Sequence, residues 1–455
     1  IYLTKDTNYQ SFFEVIRSFY PETQFFSYFN SSEPILRIFY DGKYLKNFLL
    51  FLAELEETIF IEPFFLPEPQ NDNSVYVVQS YDTNNKTNYS ICATIWNQGL
   101  TGTGETPAVC DTGIDSDMCF FRLSSDSSSV TDAQYPSLPD NGTIDLSKKV
   151  IVYNVLPGAS AYDGSYTCPS GYHHGTHVCS SIVGDNFVNL STENSGGHDS
   201  GDGMAPNAKL IFQDAGLENT GCLNGLANDW QLIFKQAYDG GARIHSDSWG
   251  SFVGAIYDGD SRSVDIFSYK NEDFLLFFAA GNRGSSGNYT VNTPSTAKNV
   301  VAVGATTNGS TGANSLASFS SKGPTKDGRI KPDVVAPGQY IVGASADEIH
   351  NSNNCSTRSA SGTSMATPTV AGAATLLRQY FTKGFYPTGV QNYSDVINPT
   401  SALLKAALIN GAVEMNETSQ STILNSLYPD NNQGWGRVLL DTVLFFSNPT
   451  RDSRF

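Results

Sequence analysis

Apolar and polar positions follow two different rhythms along the chain. Over residues 1 to about 65 the pattern is aromatic, poor in glycine, and changes period every few residues. Ile1 to Leu3 predicts a strand, Tyr9 to Phe19 a helix stopped by Pro21, and Gln24 to Phe29 and Ile35 to Tyr40 two strands. Asp41-Gly42 then predicts a turn, Lys46 to Glu56 a helix, and Thr58 to Phe65 a last strand. That β-α-β-β-α-β order describes a small α+β module of ferredoxin-like type, one sheet with two helices. The run Pro67 to Ser74 reads as a linker by composition, so residues 1–70 form the first domain and 71–80 the connection.

From about residue 80 onward, short apolar runs alternate with helical periods. Strands are predicted at Thr106 to Asp111, Lys149 to Leu156, Ala208 to Gln213, Arg243 to Ser246, Phe274 to Ala280, Val300 to Val303 and Ile341 to Ala344. Helices are predicted at His174 to Gly184, Leu226 to Tyr238, Met365 to Tyr380 and Ser401 to Asn410. Near-continuous apolar strands separated by helices predict an α/β fold, a doubly wound, mostly parallel sheet with helices on both faces. In such a sheet a ligand site lies at the carboxyl ends of the strands.

Composition narrows the partners. A net charge of −18 on 455 residues disfavours nucleic acid and anionic membrane surfaces. No uncharged apolar stretch reaches the length of a membrane span. The chain opens at Ile1 without a charged n-region or apolar h-region, which reads as the product of a removed targeting segment. Ten N-x-Ser/Thr triplets run from Asn30 to Asn416, and the seven cysteines contain no C-x-x-C pair. Together these predict a disulfide-bonded glycoprotein, secreted or held in the lumen of the secretory or endolysosomal pathway.

Four stretches carry chemistry. Ser361 to Pro368, followed by the apolar run Val370 to Leu377, predicts a tight loop entering a buried helix, with the proline in its first turn. Ser364 then lies among free amide hydrogens at the positive end of the helix, where an oxyanion would be stabilised. A plain helix cap would explain Ser364 alone. Asp111, in Ala108 to Asp115, stands where an apolar strand breaks into a glycine turn and can orient an imidazole. The segment Tyr172 to Val178 opens a helix with His173, His174 and His177, and His174 is best placed to reach both Asp111 and Ser364. His173 and His177 have the spacing of a zinc pair, but His174 occupies the place of the glutamate base, Gly175 weakens the helix and no acidic third ligand is suggested nearby. Asn282, in Phe277 to Gly284, ends an apolar strand with an amide free to donate into a cleft.

Taken in the order Asp, His, Asn, Ser, these stretches resemble the subtilases, the subtilisin-like serine proteases, across nearly all of residues 100–440. The resemblance implies an endopeptidase with Ser364 as nucleophile, His174 as general base and then acid, Asp111 as orienting carboxylate and Asn282 as oxyanion donor. It implies that Ser248-Trp249-Gly250 pairs with the substrate backbone and, with Ala279, Ala280 and Gly281, flanks the pocket for the residue before the scissile bond. It implies a catalytic domain over 81–446, a short tail at 447–455, and an N-terminal module acting as an inhibitory prodomain. The partners implied are polypeptide substrates and the chain's own prodomain, with no cofactor required. A structural calcium ion is not located, because Ser116 to Cys119 lacks the carboxylate that often binds it in bacterial members. Cys179-Ser180 departs from the family's usual Ala-Gly, and Cys119 is expected to pair with Cys168. The other reading is a silent protease fold that serves as a binding or structural component with its prodomain retained.

Overall fold

The computed structural model describes residues 2–4, 8–29, 35–40, 43–60, 71–80, 93–121, 138–160, 163, 173–185, 202–217, 223–227, 230–308, 313–347, 349, 352, 355–415 and 428–447. The chain divides into two compact units, Ile1–Glu68 and Pro69–Phe455.

In the first unit the elements run β1 (Tyr2–Leu3), α1 (Tyr9–Phe19), β2 (Gln24–Phe29), β3 (Ile35–Phe39), α2 (Leu45–Glu54) and β4 (Thr58–Phe60). The strands form an antiparallel sheet in the order β2-β3-β1-β4. Asn8 opens α1 by accepting the N–H groups of Gln10 and Ser11 on its side chain, which satisfies amides the helix itself leaves free. Phe12 and Ile16, one helical turn apart, meet Phe48 and Leu52 of α2 in a core completed by Leu3 and Leu36. Residues 61–65 of the last predicted strand lie outside the described residues.

The segment expected as a linker is instead a helix, α3 (Asn71–Gln79), belonging to the second unit. Val75 and Val78 are buried in the main core, and the Gln79 carboxamide accepts the N–H groups of Ile95 and Trp96. Composition drew attention to the polar residues before Val75 and hid the apolar positions behind them.

The second unit is built on seven described strands: β5 (Ala108–Asp111), β6 (Val150–Val155), β7 (Leu210–Asp214), β8 (Ile244–Asp247), β9 (Leu275–Ala279), β10 (Val300–Thr306) and β11 (Val334–Pro337). Their order is β11-β10-β9-β8-β5-β7-β6, and every pairing is parallel. Both faces are covered, as alternate residues of β9 reveal. Phe277 joins one core with Ile182 and Val370, while Leu276 and Phe278 join the other with Phe234 and Val264. The first core takes in α4 (His174–Val183) and α7 (Thr363–Thr382); the second packs under α5 (Trp230–Asp239) and α6 (Gly259–Lys270). A further helix, α8, spans Ser401–Asn410.

Three expectations are corrected. The run Ile341–Ala344 forms β12, which pairs antiparallel with β13 (Thr357–Ala360) away from the main sheet. A four-residue apolar run looks the same in either setting, and only its partner distinguishes them. The predicted helix over Leu226 to Tyr238 breaks into a short 3₁₀ turn at Asn224–Ala227 and α5. Cys119 is bonded to Cys355, with Cα atoms 5.3 Å apart across 236 residues of chain, so it does not pair with Cys168. Proximity along the chain was a poor guide, because the fold brings Cys355 beside Cys119 from the far end of the domain.

Within the sheet the chain runs from β5 to the outer strand β6, comes back to lay β7 between them, and then crosses to place β8 on the opposite side of β5. This reversal leaves a crevice at the carboxyl ends of β5 and β8.

Candidate active site

Asp111 is the last residue of β5 and is fully buried. One carboxylate oxygen, Oδ1, accepts the N–H of Thr112 at 2.8 Å and meets Nδ1 of His174 at 2.7 Å. A carboxylate can only accept there, so Nδ1 carries the proton and Nε2 keeps its lone pair. His174 is the first residue of α4, preceded by His173 in the left-handed region at φ 47°. Gly175 makes this contact feasible: a Cβ there would stand 2.0 Å from the Gly113 carbonyl oxygen. The helix start therefore rests directly on the turn after β5. Burial by itself would push the His174 imidazolium towards losing its proton; the charge and hydrogen bond of Asp111 outweigh that, and the net shift is upward.

Ser364 is the second residue of α7, and Gly362 is its cap residue. The helix is almost wholly buried, as its run of Ala, Val and Leu predicts. Pro368 is its sixth residue, in the second turn and not the first. The Ser364 hydroxyl donates to the Ser248 carbonyl at 3.0 Å and is not bonded to His174. Its backbone N–H belongs to the first helical turn and has no intrahelical acceptor. Asn282 lies three residues past β9. Its Oδ1 accepts both the N–H and the hydroxyl of Thr363, at 2.8 and 3.0 Å, which leaves its NH₂ group free for another acceptor.

The fold thus brings Asp111 to His174, and Asn282 and Ser248 to the start of α7. These two clusters stand at the ends of strands whose pairing runs Ala108↔His245 and Val109↔Ser246.

Other expected positions take a more limited part. The Trp249 indole is turned into the core, where its N–H donates to the Cys110 carbonyl at 2.9 Å and its ring packs on Trp230 and Phe278. Only its backbone remains for binding. Ala279 and Ala280 are likewise buried. Gly250 and Gly281 converge on one side chain: a Cβ on either would press on Asn292, at 3.2 Å from its Cβ and 2.7 Å from its Cγ respectively. The Asn292 Oδ1 is buried and unpaired. His177 is fully buried and meets the Ile341 carbonyl at 3.1 Å, the setting of a structural histidine. Burial, followed by the Arg358 charge, pushes it down to about 3. Among the described residues no group of three or more His, Cys, Asp or Glu could hold a metal ion.

One contributor was missed. Asp163 is fully buried and accepts the Thr112 hydroxyl at 3.0 Å and the Thr176 N–H at 2.9 Å, with a second bond from the Thr176 hydroxyl at 2.5 Å. Each hydroxyl already accepts an amide hydrogen, from Gly175 and from Asp115 respectively. Both must therefore point their own protons at Asp163. Burial pushes its carboxyl up to about 7, and these hydrogen bonds oppose the shift. One buried carboxylate so ties the turn after Asp111 to the helix start at His174. Its sequence context, Ala-Tyr-Asp-Gly, reads as an ordinary turn. The available signal was that Asp163 is the sole acidic residue between Asp145 and Asp185.

Residues 102–436 match the family described as the subtilase family, Peptidase_S8. The serine protease/ABC transporter B family protein tagB of Dictyostelium discoideum is 31% identical over 451 residues, covering 78% of this chain and 22% of that protein. The chain likewise spans 23% and 24% of two further such proteins from the same organism, tagD and tagA. Subtilisin BL of Lederbergia lenta is 30% identical over 291 residues, covering 62% of this chain and 79% of the subtilisin. The CspB protease of Clostridium perfringens shares the fold, with a TM-score of 0.55 at 16% identity over 80% of this chain and 96% of its own. A family match running from residue 102 to 436, over a parallel sheet whose switch point gathers the Asp, His, Asn and Ser motifs, means that this chain belongs to the subtilase family.

Proposed function

We propose that the chain is a serine endopeptidase working through Asp111, His174 and Ser364. The observation that carries this reading is the 2.7 Å contact between Asp111 and His174, which leaves Nε2 as an available base. The Ser364 hydroxyl would leave the Ser248 carbonyl by rotation about its side chain and give its proton to His174 as it attacks the scissile carbonyl. The oxyanion would be met by the Ser364 N–H and the Asn282 NH₂. His174 would then hand its proton to the departing amine, and water would hydrolyse the acyl-enzyme by the same route in reverse. The chain edge at Ser248 to Gly250 would hold the substrate extended, as an added strand.

The direct test is labelling of the full chain with a fluorophosphonate, followed by mapping of the adduct. A label on Ser364 with cleavage of a peptide library supports the proposal. An unlabelled, intact chain that cuts nothing would favour the silent, binding role. Replacing Asn282 by Leu is expected to lower kcat about 10²–10³-fold with a smaller effect on KM, a magnitude taken from the equivalent donor in subtilisin and not calculated from this geometry.

By the same reading, residues 1–68 serve as an intramolecular inhibitor that the active enzyme removes. A self-made break between residues 65 and 80, lost when Ser364 is replaced, is the outcome this requires. The Cys119–Cys355 bond and the N-x-Ser/Thr triplets support an oxidising, secretory setting.

A further inference from the structure

Helix α7 carries an internal contradiction at its active end. In a regular α-helix the carbonyl of Ser364 would accept the N–H of the residue four positions on. That residue is Pro368, which has no N–H. A carbonyl left unpaired at a half-buried position is costly, and the nucleophile's own peptide group would be free to tilt. The hydrogen bond is supplied from another element: the Ser248 hydroxyl donates to the Ser364 carbonyl at 2.8 Å. Ser248 is itself only 5% exposed and directly follows β8, one of the central strands of the sheet. In return its carbonyl accepts the Ser364 hydroxyl at 3.0 Å. The two serines are thus joined at both backbone and side chain.

We infer that Ser248 is the positioning residue of the nucleophile: its hydroxyl takes the place of the helix hydrogen bond that Pro368 cannot make, and so fixes Ser364 against the sheet. This rests on the peptidase reading above and adds to it a role for Ser248 distinct from pairing with substrate. The role rests on the Ser248 hydroxyl, whereas an added substrate strand would use backbone groups. The same logic explains why a proline is tolerated in the second turn of a buried helix. The strand beside it provides an external donor at the one carbonyl the ring orphans.

The inference predicts an energetic link between two residues separated by 120 positions in the chain. Four proteins decide it: the full chain, Ser248→Ala, Pro368→Ala, and the double variant. Ser248→Ala is expected to lower kcat by about tenfold, the consequence of one half-buried carbonyl losing its partner, while KM changes by less than about twofold. Ser248→Thr, which keeps the hydroxyl, should restore most of the rate. In Pro368→Ala the helix regains its own N–H for the Ser364 carbonyl. Removing the Ser248 hydroxyl from that background should therefore cost little, and the two substitutions should be clearly non-additive. Additive effects, or Ser248→Ala with unchanged kcat, would overturn the inference.

Unfolding midpoints of the same four proteins give a readout that needs no activity. Non-additivity there, in a chain that neither cleaves peptide nor takes the fluorophosphonate, would uphold the hydrogen-bond exchange and sink the peptidase reading alone. Normal turnover with additive midpoints and additive rates would do the reverse.

Discussion

Ser364→Ala should reduce peptide hydrolysis to the level of the uncatalysed background plus binding, a loss of about six orders of magnitude in kcat. No other residue at the start of α7 offers a substitute. Met365 is buried, and the Thr363 hydroxyl is already committed to Asn282 and Gly281. The fold should be untouched, because the hydroxyl contributes a single bond to the Ser248 carbonyl at a half-buried position. Circular dichroism and the unfolding midpoint of the variant are expected to match those of the parent. Turnover within tenfold of the parent would rule out Ser364 as nucleophile, whatever else the protein does.

Asp111→Asn is the second large effect. It should lower kcat by about four orders of magnitude, since the developing imidazolium loses its counter-charge and its fixed orientation. The direction of the accompanying pH change follows from the balance at His174. Burial lowers the pKa of that ring, and the Asp111 carboxylate reverses this to give a net upward shift. In the parent, the neutral base is therefore lost as pH falls through a value above the ordinary histidine pKa of about 6.5. In the variant the opposing charge is gone and burial remains. The acidic limb of kcat/KM should then move to lower pH, beneath the ordinary value. A limb that stays in place would mean that His174 is not the group whose titration controls the rate. Asp163 tempers the move, because its charge also raises His174 and it survives the substitution. The limb should accordingly fall less far than burial alone would carry it.

These effects share a cause in how the strands end. β5, β8 and β9 each stop at the same edge of the sheet, and each is followed within three residues by a polar group used at the site: Thr112 after Asp111, Ser248 after Asp247, and Asn282 after Ala279. A parallel sheet makes this cheap, because all its strands present the same end to the same crevice. The glycines do the remaining work. Gly175 lets the His174 helix touch the turn after Asp111, and Gly281, at φ +110°, keeps the wall of the pocket flat against Asn292.

Local pattern was enough for most of the elements, though not for β11 or α6, and for the polar residues that the fold gathers at the crevice. The apolar runs read at 106–111, 274–280 and 300–303 contain or begin the strands at 108–111, 275–279 and 300–306, and Ser401–Asn410 was legible to the residue. Asp111, His174, Asn282 and Ser364 were legible because each stands at a break between an apolar run and a turn, where a polar side chain has a purpose. What escaped was whatever depended on a partner far along the chain. Asp163 gained its meaning from Thr112 and Thr176, Cys119 from Cys355, and β12 from β13. The helix at 71–79 escaped for the related reason that its polar lead-in resembled a linker, while its three buried valines were too few to declare a face without the core they enter. Short-range order is written in periodicity and steric preference, which any window of sequence displays. Contacts across hundreds of residues are chosen by competition among all the surfaces the folded chain offers, and that competition is settled only in three dimensions.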